Sequence, residues 1–294
     1  MVSLKFAVAA LLFTAARLGC AQSNQAHIVV SDIQYCTGAG KPLLMDLFVP
    51  EMPVRTPTPV VLWLDSRGKE KSEKEDAAAS LFTNEGFVTA TISYRSSEVA
   101  PFPAAIEDCK CAVRFLRVNA DQYGIDPTRI GVAGTSAGGH LALLLATASE
   151  NAGLEGSGGW SGISSQVAAA SAWYAPTDFA IGKNTFEHKG DGKFLGVNVS
   201  QTSDIYRKAS PITYVSPESA PILLIHGDHD NVVPFSQSVR MLEAYKKVGA
   251  TAELVKVVGV GHNFQSATAG QTSVDRKEIR ARTVEFFKKF LAEK

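Results

Sequence analysis

The sequence predicts an α/β protein: a mostly parallel sheet covered on both faces by helices, opened by an antiparallel hairpin and carrying a short insertion over the strand ends. Three observations predict it. Apolar, β-rich runs alternate with amphipathic helical patterns through most of the chain, as repeated strand–helix–strand units require. The runs are continuous rather than alternating, the pattern of strands buried on both faces. One stretch alone, 176–221, breaks the rhythm; it is rich in Gly, Ser and Asn and suits a segment lying where binding surfaces collect.

The elements follow in order. Residues 27–35 and 43–49 alternate well enough for a hairpin around Thr37-Gly38-Ala39-Gly40. Residues 59–64 and 87–94 read as buried strands, with 75–85 between them a helix ended by Gly86. Residues 103–119 form an amphipathic helix with Ile106, Ala112, Val113, Phe115 and Leu116 on or near one face. A short strand at 129–133 precedes a Leu- and Ala-rich helix at 140–149. Strands at 167–174, 222–225 and 252–258, a helix at 235–248 and a closing helix at 273–292 complete the series. Within 176–221 only 203–208 has a helical pattern.

A chain of 294 residues buries a full core without disulfides or metal. Its 45% hydrophobic and 20% charged residues, without repeats, are those of a globular protein. Zero formal charge gives no reason to expect a nucleic-acid or anionic-membrane partner. At the N-terminus, Lys5, an apolar run over 6–16 and Gly19-Cys20-Ala21 fit a secretory signal at 1–21, the run being too short for the roughly 20 residues of a membrane span. Residues 22–294 are then expected to be one domain, secreted or periplasmic, with no integral membrane segment. Leu18-Gly19-Cys20 is also a partial lipoprotein signature, with Arg17 where an aliphatic residue is expected. After cleavage Cys36, Cys109 and Cys111 remain. Cys109 and Cys111 point about 200° apart on a helix, which rules out a redox pair or zinc clip. A bridge from one of them to Cys36 is open; three buried thiols are the favoured expectation.

The chemistry centres on Gly134-Thr135-Ser136-Ala137-Gly138, a G-x-S-x-G pattern that is weak alone. Set between a β run and a helix, it marks a strand-to-helix turn that holds a serine hydroxyl clear of its neighbours. Such a hydroxyl needs a base. Six histidines compete. His27 lies in the first strand and His188 in the insertion; His140 reads as a packing or hydrogen-bonding residue, and His226 as locally bonded at a strand end. His262 lies in a loop after a strand and before the last helix, completing the order serine, acid, histidine expected of this architecture. The segment 226–234, His-Gly-Asp-His-Asp-Asn-Val-Val-Pro, supplies Asp228 and Asp230 as candidate acids, and spacing does not choose between them. A metal site of His226, Asp228, His229 and Asp230 is disfavoured, because four ligands crowded into one turn converge poorly.

These segments, with Tyr94-Arg95, Phe102-Pro103-Ala104, Asp108 and Ala175-Pro176-Thr177-Asp178, resemble the α/β-hydrolase-3 and BD-FAE-like esterases, relatives of hormone-sensitive lipase that include feruloyl and acetylxylan esterases. The resemblance covers nearly all of 22–294. It implies the α/β-hydrolase fold, Ser136 as nucleophile, His262 as base, Asp230 rather than Asp228 as the acid, and no cofactor or metal. It also implies a small-molecule or polysaccharide-linked ester substrate with a short acyl or hydroxycinnamoyl group. One departure stands out. The family's His-Gly-Gly-Gly after the third strand is replaced by Asp65-Ser66-Arg67-Gly68. The oxyanion hole is expected from the N–H of Ala137 with Arg67 and Gly68; losing one donor costs about 2.7–4 kcal/mol. In one reading of that loop Asp65 pairs with Arg67 over a solvated surface; in another the Arg67 guanidinium favours acidic substrates. Trp160, Trp173, Tyr174 and Phe102 are candidates for an aromatic wall or ordinary core. A binding protein on the same scaffold and a serine peptidase are the rival readings.

Overall fold

The computed structural model describes residues 27–51, 57–66, 80–180, 194–196, 203–266 and 276–292. The expected signal, Arg67 and Gly68, His188, residues 75–79 of the helix expected over 75–85 and much of the insertion lie outside these residues. Eight strands form one sheet in the order β1-β2-β4-β3-β5-β6-β7-β8: β1 (His27–Gly38), β2 (Lys41–Pro50), β3 (Thr58–Leu64), β4 (Val88–Ile92), β5 (Ile125–Thr135), β6 (Ala169–Trp173), β7 (Ile222–Gly227) and β8 (Ala252–Val257). The run β4-β3-β5-β6-β7-β8 is parallel, and the β1–β2 hairpin joins β4 antiparallel. The longer helices among the described residues are α1 (Ala104–Val118), α2 (Ala137–Thr147), α3 (Ser203–Ala209), α4 (Ser236–Val248) and α5 (Arg276–Phe290).

The continuous apolar runs are explained by two cores, one on each face of the sheet. On β3, Val60, Leu62 and Leu64 join the core that contains Ile106, Val113 and Leu116 of α1 and Leu141 and Leu144 of α2. The intervening Val61 and Trp63 face the other core, with Phe82, Phe87 and Phe287 of α5. A side-chain period of two delivers alternate residues to opposite faces, so a strand covered on both sides must be apolar throughout.

Boundary differences have local causes. The hairpin closes on two residues, Ala39 and Gly40, both with positive φ (50° and 76°), so strand pairing extends to Gly38 and Lys41 where a longer loop was expected. Helix α2 starts at Ala137 rather than 140. Gly138 and Gly139, weak helix formers, conceal its first turn; a Cβ on Gly138 would lie 2.1 Å from the Leu64 carbonyl oxygen, so close packing requires glycine there.

The expectation of three free thiols is corrected. Cys36 on β1 and Cys111 on α1 form a disulfide, with Cα atoms 6.3 Å apart, and Cys109 is the buried free thiol. Only tertiary structure puts β1 beside α1, across 75 positions of sequence. The opposed directions of Cys109 and Cys111 then select one of them.

Candidate active site

Three loops at the carboxyl ends of β5, β7 and β8 converge. Ser136 occupies the turn from β5 into α2 with φ 51° and ψ −117°, a conformation costly for a residue with a side chain. The turn is over-determined by its surroundings: the Ser136 N–H donates to the Trp173 carbonyl of β6 at 2.9 Å, and the His140 N–H donates to the Ser136 carbonyl at 2.9 Å. Gly134 is needed because a Cβ there would come within 2.5 Å of the Gly138 carbonyl group.

Asp230 lies in the loop after β7, its carboxylate fully covered. Oδ1 accepts the N–H groups of Val232 and Val233, each at 2.8 Å. Oδ2 lies 2.8 Å from His262 Nδ1. Burial pushes this carboxyl up, but hydrogen bonds from His226, His262 and the Val233 N–H outweigh it and hold the group well below the usual carboxylate range. With a carboxylate at Nδ1, that nitrogen carries the proton, and Nε2 is free to accept from the Ser136 hydroxyl 3.1 Å away. The Tyr174 ring packs edge-on against the imidazole, with centroids 4.7 Å apart.

Asp228 has a different task. Its Oδ1 accepts the Gly259 N–H at 2.8 Å, while the His229 N–H donates to the Val260 carbonyl at 3.0 Å. These bonds stitch the Asp230 loop to the His262 loop. The four side chains weighed as a metal cluster thus do not converge on one point: buried His226 lies against Asp230, which bonds His262, while Asp228 bonds the Gly259 N–H and lies 3.8 Å from the exposed His229. Among the described residues, no group of three His, Cys, Asp or Glu side chains is arranged to hold a metal ion.

Ala137 opens α2, so its N–H belongs to the first-turn set that lacks an acceptor within the helix. Beside it lies a cavity of about 280 Å³ whose lining includes Ser66, Tyr94, Ala137, His140, Leu141 and Phe194. The Tyr94 hydroxyl donates to the Asp65 carbonyl at 2.5 Å, tying the loop after β4 to the loop after β3. Arg95 is held by Asp108 (Nη2–Oδ1 2.6 Å) and by the Ala104 carbonyl, which fixes the cavity rim to α1. His140 donates from Nε2 to the Ala209 carbonyl at 2.7 Å, and burial pushes its pKa down to about 4.

The structure therefore brings Ser136, His262, Asp230 and Ala137 together; Arg67 and Gly68 are outside the described residues. Of the four aromatics, Tyr174 reaches the site and Phe102 stands behind Phe194. Trp173 sits in the core against Trp63, bonded to Thr283, and Trp160 packs on Phe115. Phe194 escaped sequence reading because an isolated aromatic in a Gly-rich insertion carries no periodic signal. The contact of His226 with Asp230 escaped it because the turn that folds residue 230 back onto residue 226 has no distinctive spacing.

The fold is that of the α/β-hydrolase class. Within that class the chain belongs to the BD-FAE family, whose model matches residues 45–245. Esterase LipQ of Mycobacterium tuberculosis is 30% identical over 245 residues, covering 81% of this chain and 58% of that protein. Esterase LipC of the same organism is 29% identical over 231 residues, covering 76% and 57%. The chain thus spans less than three-fifths of the length of these curated relatives. A truncated carbohydrate esterase from gut microbiota superimposes with a TM-score of 0.77 at 25% identity, covering 92% of this chain and 99% of that one. A thermophilic esterase from Thermogutta terrifontis with propionate bound shares the fold, with a TM-score of 0.73 at 23% identity, covering 92% and 97%. Among the described residues, no helix is long and apolar enough to cross a membrane.

Proposed function

We propose that this chain hydrolyses carboxylic esters through an acyl-enzyme on Ser136, without a cofactor. One observation carries the reading: a continuous hydrogen-bonded line from Ser136 Oγ to His262 Nε2 at 3.1 Å and from His262 Nδ1 to Asp230 at 2.8 Å. His262 takes the hydroxyl proton as the oxygen attacks the ester carbonyl, and Asp230 stabilises the imidazolium that forms. The tetrahedral oxyanion accepts from the Ala137 N–H and from N–H groups of the Arg67–Gly68 loop. Collapse expels the alcohol, protonated by His262; water then attacks the acyl-enzyme by the same route and releases the acid.

The substrate is a short-chain or hydroxycinnamoyl ester, carried on a small alcohol or a plant polysaccharide. The carbohydrate esterase among the solved relatives and the cavity beside Ala137 support this class. The protein acts outside the cytoplasm, secreted or periplasmic, after removal of residues 1–21. The Cys36–Cys111 disulfide supports that location, since such bonds persist in oxidising compartments.

The test is a panel of short-chain p-nitrophenyl esters, acetylated xylan and methyl ferulate, with Ser136→Ala as control, alongside labelling by a fluorophosphonate. Turnover and labelling are expected in the wild type and are lost in Ser136→Ala. A folded wild type that neither labels nor turns over any ester would support a binding protein instead.

A further inference from the structure

His226, the penultimate residue of strand β7, is fully buried and has a polar partner at each ring nitrogen. Nδ1 lies 2.7 Å from Ser238 Oγ on α4. Nε2 lies 2.9 Å from the Val233 carbonyl oxygen and 3.3 Å from Asp230 Oδ2. Both neighbours of Nε2 are acceptors with no proton to give, so Nε2 carries the ring hydrogen whatever the state of Nδ1. In the neutral ring Nδ1 then accepts the Ser238 hydroxyl proton.

The consequence falls on Asp230. An ionised carboxylate offers about four acceptor positions. Here Val232 and Val233 N–H groups occupy Oδ1, His262 bonds Oδ2, and the His226 Nε2–H, which donates to the Val233 carbonyl, lies beside Oδ2 at 3.3 Å. The backbone pair anchors one oxygen; rotation about the last side-chain bond is decided by what holds the other. His262 cannot serve as that anchor, because it is the ring the carboxylate has to orient.

We propose that His226 is a positioning residue for this site, its Nε2–H shared between the Val233 carbonyl and Asp230 Oδ2 so that the carboxylate presents the other lone pair of that oxygen to His262. The proposal rests on the reading of Ser136, His262 and Asp230 given above. Without His226, the Val233 carbonyl and one Asp230 acceptor position lose their shared donor, and the carboxylate is free to turn away from the imidazole. Substrate binding is untouched, because His226 lies behind the array. The loss is therefore expected in kcat and not in KM.

Two near-isosteric variants of the full chain separate the donor from mere polarity. In His226→Gln the side-chain amide nitrogen reaches the place of Nε2; in His226→Asn it reaches only that of Nδ1. On the ester the wild type prefers, His226→Asn is expected to lose roughly 10- to 100-fold in kcat, as orienting partners of functional groups do, with KM within about twofold. His226→Gln should stay within about threefold of wild type on the same grounds. If His226→Asn does not fold, His226→Met replaces it, removing the donor without burying another polar group. Equal kcat in the Gln variant and its donor-free counterpart, with matched melting temperatures, would overturn the positioning role. A Ser136→Ala control that retains full activity would instead overturn the reading beneath it.

Discussion

At the residue scale the site concentrates its electrostatics on one buried carboxylate. Asp230 has a side chain of zero exposure, yet its hydrogen bonds keep it ionised against the pull of burial. Replacing it with Asn keeps the shape but leaves the His262 tautomer unspecified; on the mechanism proposed, Asp230→Asn lowers kcat by about 10⁴-fold, checked by steady-state kinetics on a short-chain p-nitrophenyl ester. His140 provides an independent test of burial. Its folded pKa of about 4 lies below the ordinary histidine value of 6.5, so the unfolded chain binds a proton that the folded chain refuses. Stability from this residue is present above pH 6.5 and is lost as pH falls toward 4, amounting to roughly 3 kcal/mol over that window. Urea midpoints measured between pH 7 and 4.5 should fall, and the His140→Asn variant should show a shallower fall.

At the element scale the Ser136 turn depends on the approach of α2 to the end of β3. The contact of Gly138 with the Leu64 carbonyl leaves no room for a methyl group. Gly138→Ala is expected to push α2 off the strand and cost about 1–3 kcal/mol, read as a lower urea midpoint, as overpacking does. Activity should fall further than stability alone explains, since the same shift displaces the Ala137 N–H. The loops after β7 and β8 are coupled in a comparable way through the Asp228–Gly259 and His229–Val260 bonds. Asp228, one of two carboxylates the sequence left in contention for the acid, thus has its carboxylate committed to the Gly259 N–H and not to the His262 imidazole.

At the scale of the whole molecule, the sheet carries two cores, and the disulfide clamps its antiparallel edge to the helix behind the cavity. Cys36 to Cys111 encloses a long loop, with the two residues 75 apart, so the cross-link removes much freedom from the unfolded chain. Reduction, or Cys36→Ser, should lower stability by about 2–5 kcal/mol, measured by urea denaturation with and without reductant. The protein with residues 1–21 removed, denatured without reductant, should expose one thiol to alkylation, Cys109. Because α1 also carries Asp108, which holds Arg95 at the cavity rim, loosening this helix should reach the cavity before it reaches the Ser136 turn.

The order of strands and helices, the two-sided burial of the sheet and the strand-to-helix turn around Ser136 were legible in the sequence, because they follow from local periodicity and from glycines at fixed offsets. The meeting of Ser136 with His262, 126 positions apart, was legible only through the order of motifs known to fold together. Spacing alone left Asp228 and Asp230 equivalent; tertiary structure separates them by placing the His262 imidazole against Asp230 and the Gly259 N–H against Asp228. Cysteine pairing, the contact of His226 with Asp230 and the arrival of Phe194 at the cavity were also decided in three dimensions. The physical reason is common to all of them. A chain's pattern specifies which face of each element is buried, whereas the neighbour that each buried group meets depends on how separate elements pack, and no local run of residues encodes that distance.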